Sequence, residues 1–259
     1  MRDLARALAR AFAQLIPAGR HRWQALALVL IGTAIPVTEL LVTRMFTQII
    51  SVTAGHPGLS MRDLAPQLMA FCVLFVTTRF AHYGQRIYRV HYFERVFRAG
   101  PRAASASAES WRWALGMELV GILTFLAQLA VMAAMFTVLD PVFGLLNLAL
   151  LALLMEVVGR IFARQRVTQR SFVERKRAGD HVSPFVKLRS RVVSAEAGGF
   201  FSSAGIILLL IALIAMSLNG LVAAADTIVL FLGLRMQNST FISLSGAVMR
   251  MARAHANTY

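Results

Sequence analysis

Six stretches of the chain, 23–50, 65–86, 113–139, 142–162, 199–218 and 226–249, are mainly apolar. A helix rising 1.5 Å per residue needs about 20 such residues to cross the hydrocarbon of a bilayer. Each stretch meets or exceeds that length, and several have ends long enough to project into water. Pro36 lies inside the first and predicts a local bend. The rest of the composition agrees. The chain is 58% hydrophobic and only 15% charged, whereas soluble domains are roughly 45–50% apolar and about 25% charged. A surface with so few charges cannot cover a globular fold of this length in water. The predicted class is therefore all-α and polytopic, with six membrane helices.

The cations alternate with the connections. Arg2, Arg6, Arg10, Arg20 and Arg22 precede the first span. Arg86, Arg89, Arg95, Arg98, Arg102 and Arg112 flank or fill the second-to-third connection, and ten more lie between Arg160 and Arg191. Arg250 and Arg253 follow the last span, while the other three connections hold one cation, Arg62. By the positive-inside rule, both termini and the two long connections face the cytoplasm of a cell membrane. The same regularity argues against nucleic acid as the reason for a net charge of +15, since a nucleic-acid surface has no cause to respect every second loop. The single cysteine, Cys72, excludes an intrachain disulfide framework and a cysteine-based metal cluster. His82 and His91 are about half a turn out of phase on one helix, so a shared metal is not expected.

Residues 1–22 form a separate segment. Leu4, Leu8, Phe12 and Leu15 recur at helical spacing, and so do Arg2, Arg6 and Arg10, on the opposite face. This predicts an amphipathic elbow lying in the membrane interface, with a break at 17–19 leading into the six-helix domain, 23–250, and a short tail, 251–259. A signal peptide is the competing reading, but no uninterrupted apolar core precedes the break.

Charged groups within spans are costly and are functional candidates. Arg235 falls roughly 14 Å below the outer end of the sixth span and Glu39 roughly 17 Å below that of the first, so the two could pair. Arg79, Glu118 and Glu156 form a second tier nearer the cytoplasm. Such pairs can simply neutralise one another and fix helix register. Arg235, Asn238, Ser239, Ser243, Gly246 and Arg250 also share one face of the sixth span. Lipid offers that face no hydrogen-bond partner, so it must meet protein or a water-filled path. Aromatic residues at Tyr83, Tyr88, Tyr92 and Phe93, with Trp111 and Trp113, suggest an interfacial belt and anchors. Gly198/Ser202 and Gly199/Ser203 suggest close helix packing.

Six spans, an elbow, short outside turns and two inside hairpins resemble the transmembrane domain of ATP-binding cassette exporters. The likeness is carried by Leu139-Asp140-Pro141 leading into a helix that turns basic through Gly159-Arg160-Ile161-Phe162-Ala163-Arg164. It is also carried by the last span, from Ala225-Asp226-Thr227 to Val248-Met249-Arg250-Met251-Ala252-Arg253. The resemblance implies a homodimer or heterodimer in which the sixth helices line a central path, so that Arg235, Asn238, Ser239 and Glu39 would meet the substrate. It further implies an ATPase docking on the inside hairpin near Gly179, Asp180, His181 and Pro184. The sequence departs from the family in two respects. No G-x-x-x-x-G-K-[ST] phosphate loop occurs, so ATP is expected only through a separate chain. The first inside hairpin, Gly100-Pro101-Arg102-Ala103-Ala104, lacks the family's acidic docking pattern.

Three functions follow as expectations. The first is a transport subunit powered by a separate ATPase. The second is a proton-coupled carrier of the same fold using Glu39, Glu118 or Glu156. The third is an accessory subunit of a larger membrane complex. No catalytic constellation, cofactor or metal site is expected in this chain.

Overall fold

A computed structural model describes residues 2–16, 19–55, 60–99, 106–180 and 182–258, which form seven α-helices and, among the described residues, no strand. They are α1 (Arg2–Leu15), α2 (Arg20–Gly55), α3 (Met61–Ala99), α4 (Ala106–Leu139), α5 (Pro141–Arg177), α6 (Pro184–Leu218) and α7 (Ala224–Thr258). Five of them, α2 to α6, are long and apolar enough to cross a membrane. That is the make-up of a polytopic helical membrane protein. The sixth expected span lies inside α7, which does not share that apolar character, because Arg235, Gln237, Asn238 and Ser239 interrupt it.

Local chemistry explains where the helices stop. Asp140 caps α5 by accepting a hydrogen bond from the Phe143 amide at 2.7 Å, and Pro141 occupies the first helical position, where no amide proton is required. At the other end of α5, Gly179 takes φ +87°. The Gly179 and Asp180 amides turn back to the carbonyls of Lys176 (3.3 Å) and Arg175 (2.9 Å), closing the helix in a Schellman turn. Gly220 repeats the device at the end of α6. The connection 160–194 is thus mostly helical, with α5 continuing about 26 Å beyond position 160. His181, Pro17, Ala18 and residues 100–105 lie outside the described residues.

The core is built around α7, which packs against α2, α4, α5 and α6. Leu230, Leu234, Phe241, Leu244 and Val248 point into it and are at most 1% exposed. Ile228 is exposed, whereas its neighbour Val229 is buried. The outward faces of the other helices carry Phe80, Leu145, Leu153, Leu208 and Ile211 in the open, an arrangement suited to lipid and unsuited to water. α3 packs mainly on α2 and leaves most of its length uncovered.

The apolar face of α1 packs on protein: Leu4, Ala7, Leu8 and Ala11 are buried, and the helix lies against α4 and α5. One expectation is revised. Tyr92 and Phe93 are not a belt. Both are buried, and the Tyr92 hydroxyl donates to the His21 carbonyl at 3.1 Å, tying α3 to the start of α2.

Candidate functional site

The residues singled out inside the spans fall into three groups. The first is the uncovered face of α7. Arg235, Ser239, Ser243 and Arg250 recur every four to seven residues on one side of the helix and are all exposed. Arg235 finds no carboxylate among the described residues. On the opposite side of the same helix Leu230, Leu234, Leu244 and Val248 are fully buried. α7 is therefore one-sided: packed behind and open in front, where Arg235, Ser239 and Ser243 stand exposed among Ile228, Phe231 and Ile242.

Asn238 does not belong to that open face. Its side-chain oxygen accepts from the Ser202 hydroxyl at 2.8 Å, and its amide donates to Ser203 Oγ at 3.3 Å. It is a clasp between α7 and α6, with its hydrogen-bonding capacity largely used. The small residues of α6 make this approach possible. A Cβ on Gly198 would run into the Ser245 hydroxyl, whose Oγ donates to the Ala195 carbonyl at 3.1 Å. Gln237, which sequence reasoning missed, faces inward. It exchanges two hydrogen bonds with Asn147 of α5, and both residues are essentially inaccessible.

The second group is Glu39, which pairs with His82 of α3 rather than with Arg235. The His82 Nε2 lies 2.9 Å from Glu39 Oε1, about a third of each side chain remaining exposed. Depth along the span allowed the Arg235 pairing, but α2 turns the carboxylate toward α3. The partner is visible in the sequence only once the α2–α3 contact is known.

The third group gathers where α3, α4 and α7 meet. Glu118 accepts from Arg250 Nε at 2.6 Å. Arg89 reaches into the same place and donates to the Met117 carbonyl at 2.6 Å. One carboxylate thus sits near two guanidiniums, one of them from the helix that carries the open polar face. Glu156 pairs within its own helix with Arg160 at 3.0 Å, and Arg79 lies over the Phe75 ring at 5.0 Å. Neither joins the α7 face. Gly179, Asp180 and Pro184 sit together at the turn between α5 and α6, well separated in sequence from it. Among the described residues no three metal-ligating side chains converge.

Between α2, α3 and α4 a cavity of about 190 Å³ has a mixed lining, with Gln85, Arg89 and Gln128 beside Leu28, Val120 and Phe125. Gln128 donates to the Gly32 carbonyl at 2.7 Å, and a Cβ on Gly32 would strike the Gln85 amide. None of its lining residues lies on α7.

No family model matches the chain, and no curated protein sequence matches it.

Proposed function

We propose that this chain is a membrane transport subunit: a six-span permease of the ATP-binding cassette exporter type, with α7 as its sixth span, working as a dimer. In this reading both termini and the basic connections are cytoplasmic, and α1 is the elbow at the inner surface. A separate ATPase docks at the α5–α6 turn, near Gly179, Asp180, His181 and Pro184. The observation that carries the proposal is the one-sidedness of α7. A membrane helix whose front bears Arg235, Ser239 and Ser243 cannot turn that front to lipid. A second copy facing the first would close the two fronts around a polar path for substrate.

Cysteine cross-linking tests the dimer. In a Cys72→Ser background, Ser243→Cys is expected to give a disulfide-linked dimer in native membranes, whereas Leu208→Cys on the outer face of α6 is not. Absence of the Ser243 cross-link with an intact fold would contradict the arrangement.

The Glu39–His82 contact favours one second reading, a proton-coupled carrier of the same fold. A carboxylate and an imidazole 2.9 Å apart can share or pass a proton, whereas Glu118 and Glu156 already face arginines. Stable co-purification with an ATPase would favour the first reading. Proton uptake by reconstituted vesicles that is lost in Glu39→Gln would favour the second.

A further inference from the structure

At the basic end of the bundle, α1, the extended arm of α5 and the end of α7 enclose a cavity of about 420 Å³. Arg6 and Arg10 enter it from α1, Arg166, Arg170 and Arg177 from α5, and His255 from α7. Two carboxylates share the lining. Asp3 lies 3.9 Å from Arg6 and Glu174 lies 3.2 Å from Arg170, so each is matched to an arginine on its own helix. Arg10, Arg166 and Arg177 have no carboxylate partner among the described residues. Three uncompensated guanidiniums thus converge on one concave space from two helices that are far apart in sequence.

Insertion topology accounts for arginines at this end of the protein but not for their convergence. A merely solvated basic face keeps its charges apart, because like charges near one another repel. Here the burial of the apolar face of α1 against α4 and α5 fixes the helix, and Asp3, Arg6 and Arg10, flanking the buried Ala7, line the space shared with the arm of α5. The positive field also reaches His255, whose pKa is lowered by burial and then by Arg166 and Arg10. Guanidinium forks match the oxygens of a phosphate group in pairs. A cavity of this size holds a phosphate diester with part of its glycerol, or a diphosphate.

We propose that this cavity is a binding site for a phosphate-bearing anion, held by Arg10, Arg166 and Arg177 and bridging α1 to the arm of α5. The phosphate can come from an anionic phospholipid headgroup or from a soluble polyphosphate. The chemistry of recognition is the same. The site is independent of the transport reading, since it uses none of the residues on the α7 face.

The full chain in phosphatidylcholine nanodiscs, titrated with inorganic pyrophosphate, forms one arm of the test. The other arm uses nanodiscs containing phosphatidylglycerol and no added anion, with lipid retention followed by native mass spectrometry. A rise in melting temperature in the first arm identifies a soluble ligand, and a rise with retained phosphatidylglycerol in the second identifies a headgroup. In either case Arg166→Gln is expected to weaken the effect about tenfold or more. Arg164→Gln removes the same charge from the same arm outside the cavity and is expected to leave the effect intact. If Arg166→Gln does not fold, Arg10→Gln and Arg177→Gln, both at exposed positions, give the same comparison. Stabilisation in neither arm would overturn the proposal, and so would an equal loss in Arg164→Gln.

Discussion

Asn147 of α5 and Gln237 of α7 bind each other twice, at 3.2 and 2.7 Å, with both side chains closed off from their surroundings. Each amide satisfies the other inside an apolar layer, where neither has an alternative partner. Replacing one leaves the other buried and unpaired. Asn147→Leu is therefore expected to destabilise the protein by about 1–3 kcal/mol. The double variant Asn147→Leu/Gln237→Leu should recover much of that loss, because two apolar groups need no hydrogen bond. Denaturant unfolding in mixed micelles measures both. A double variant no better than the single would show that the pair is not acting as a unit.

Gly198 sets how closely α6 approaches α7. A methyl group there would collide with the Ser245 hydroxyl, whereas one on Gly199 would meet Ile242 at an ordinary 3.4 Å. Gly198→Ala is expected to cost about 1–3 kcal/mol through the forced separation of the helices. Gly199→Ala should be nearly neutral. Thermal melts of the two variants distinguish them, and equal losses would contradict the register of this contact.

Glu118 stands between Arg250 and Arg89. Its carboxylate is mostly covered, while Arg250 keeps half of its exposure, so solvent softens the loss of the pair. Glu118→Gln leaves two guanidiniums facing each other and is expected to destabilise by about 1–2 kcal/mol. Arg250→Gln should cost less, because Arg89 remains beside the carboxylate. Unfolding midpoints of the two variants give the order, and the reverse order would contradict it.

His255 gives the protein a pH dependence of defined sign. Its pKa lies below the ordinary 6.5 because burial and the nearby Arg166 and Arg10 disfavour the imidazolium. The unfolded chain therefore takes up this proton more readily than the folded one. The contribution is fully present above the unfolded value and is lost as pH falls below 6.5 toward the lower folded value. Melting temperatures from about pH 7.5 down to about 5.5 should fall in the parent and fall less in His255→Gln. Parallel slopes would assign the acid sensitivity to other groups.

Much of this architecture was legible in the residues. Hydrophobic length marked the five helices able to span a membrane, Leu139-Asp140-Pro141 marked the start of one of them, and the small residues of α6 marked a close approach. What escaped was direction around the helix axis. Asn238 and Arg235 are three residues apart and share a helical face by spacing, yet α6 claims Asn238 and leaves Arg235 open. Glu39 and Arg235 match in depth, but α2 presents Glu39 to His82. The apolar face of α1 suited either lipid or protein, and the energy of burial is much the same for both. Depth follows from counting residues, whereas partners follow from how helices rotate against one another.

The central claim is that the open front of α7 borders a polar path. Cysteines at positions 239 and 243, in a Cys72→Ser background, can be exposed in sealed native membranes to a small membrane-impermeant methanethiosulfonate reagent. Thiols in a watery path ionise and react, while thiols facing lipid do not. Ser239→Cys and Ser243→Cys are predicted to label from at least one side of the membrane, with Ile211→Cys and Ile214→Cys on the outer face of α6 staying unlabelled. Silence at 239 and 243, in folded protein, would contradict a water-accessible path along α7.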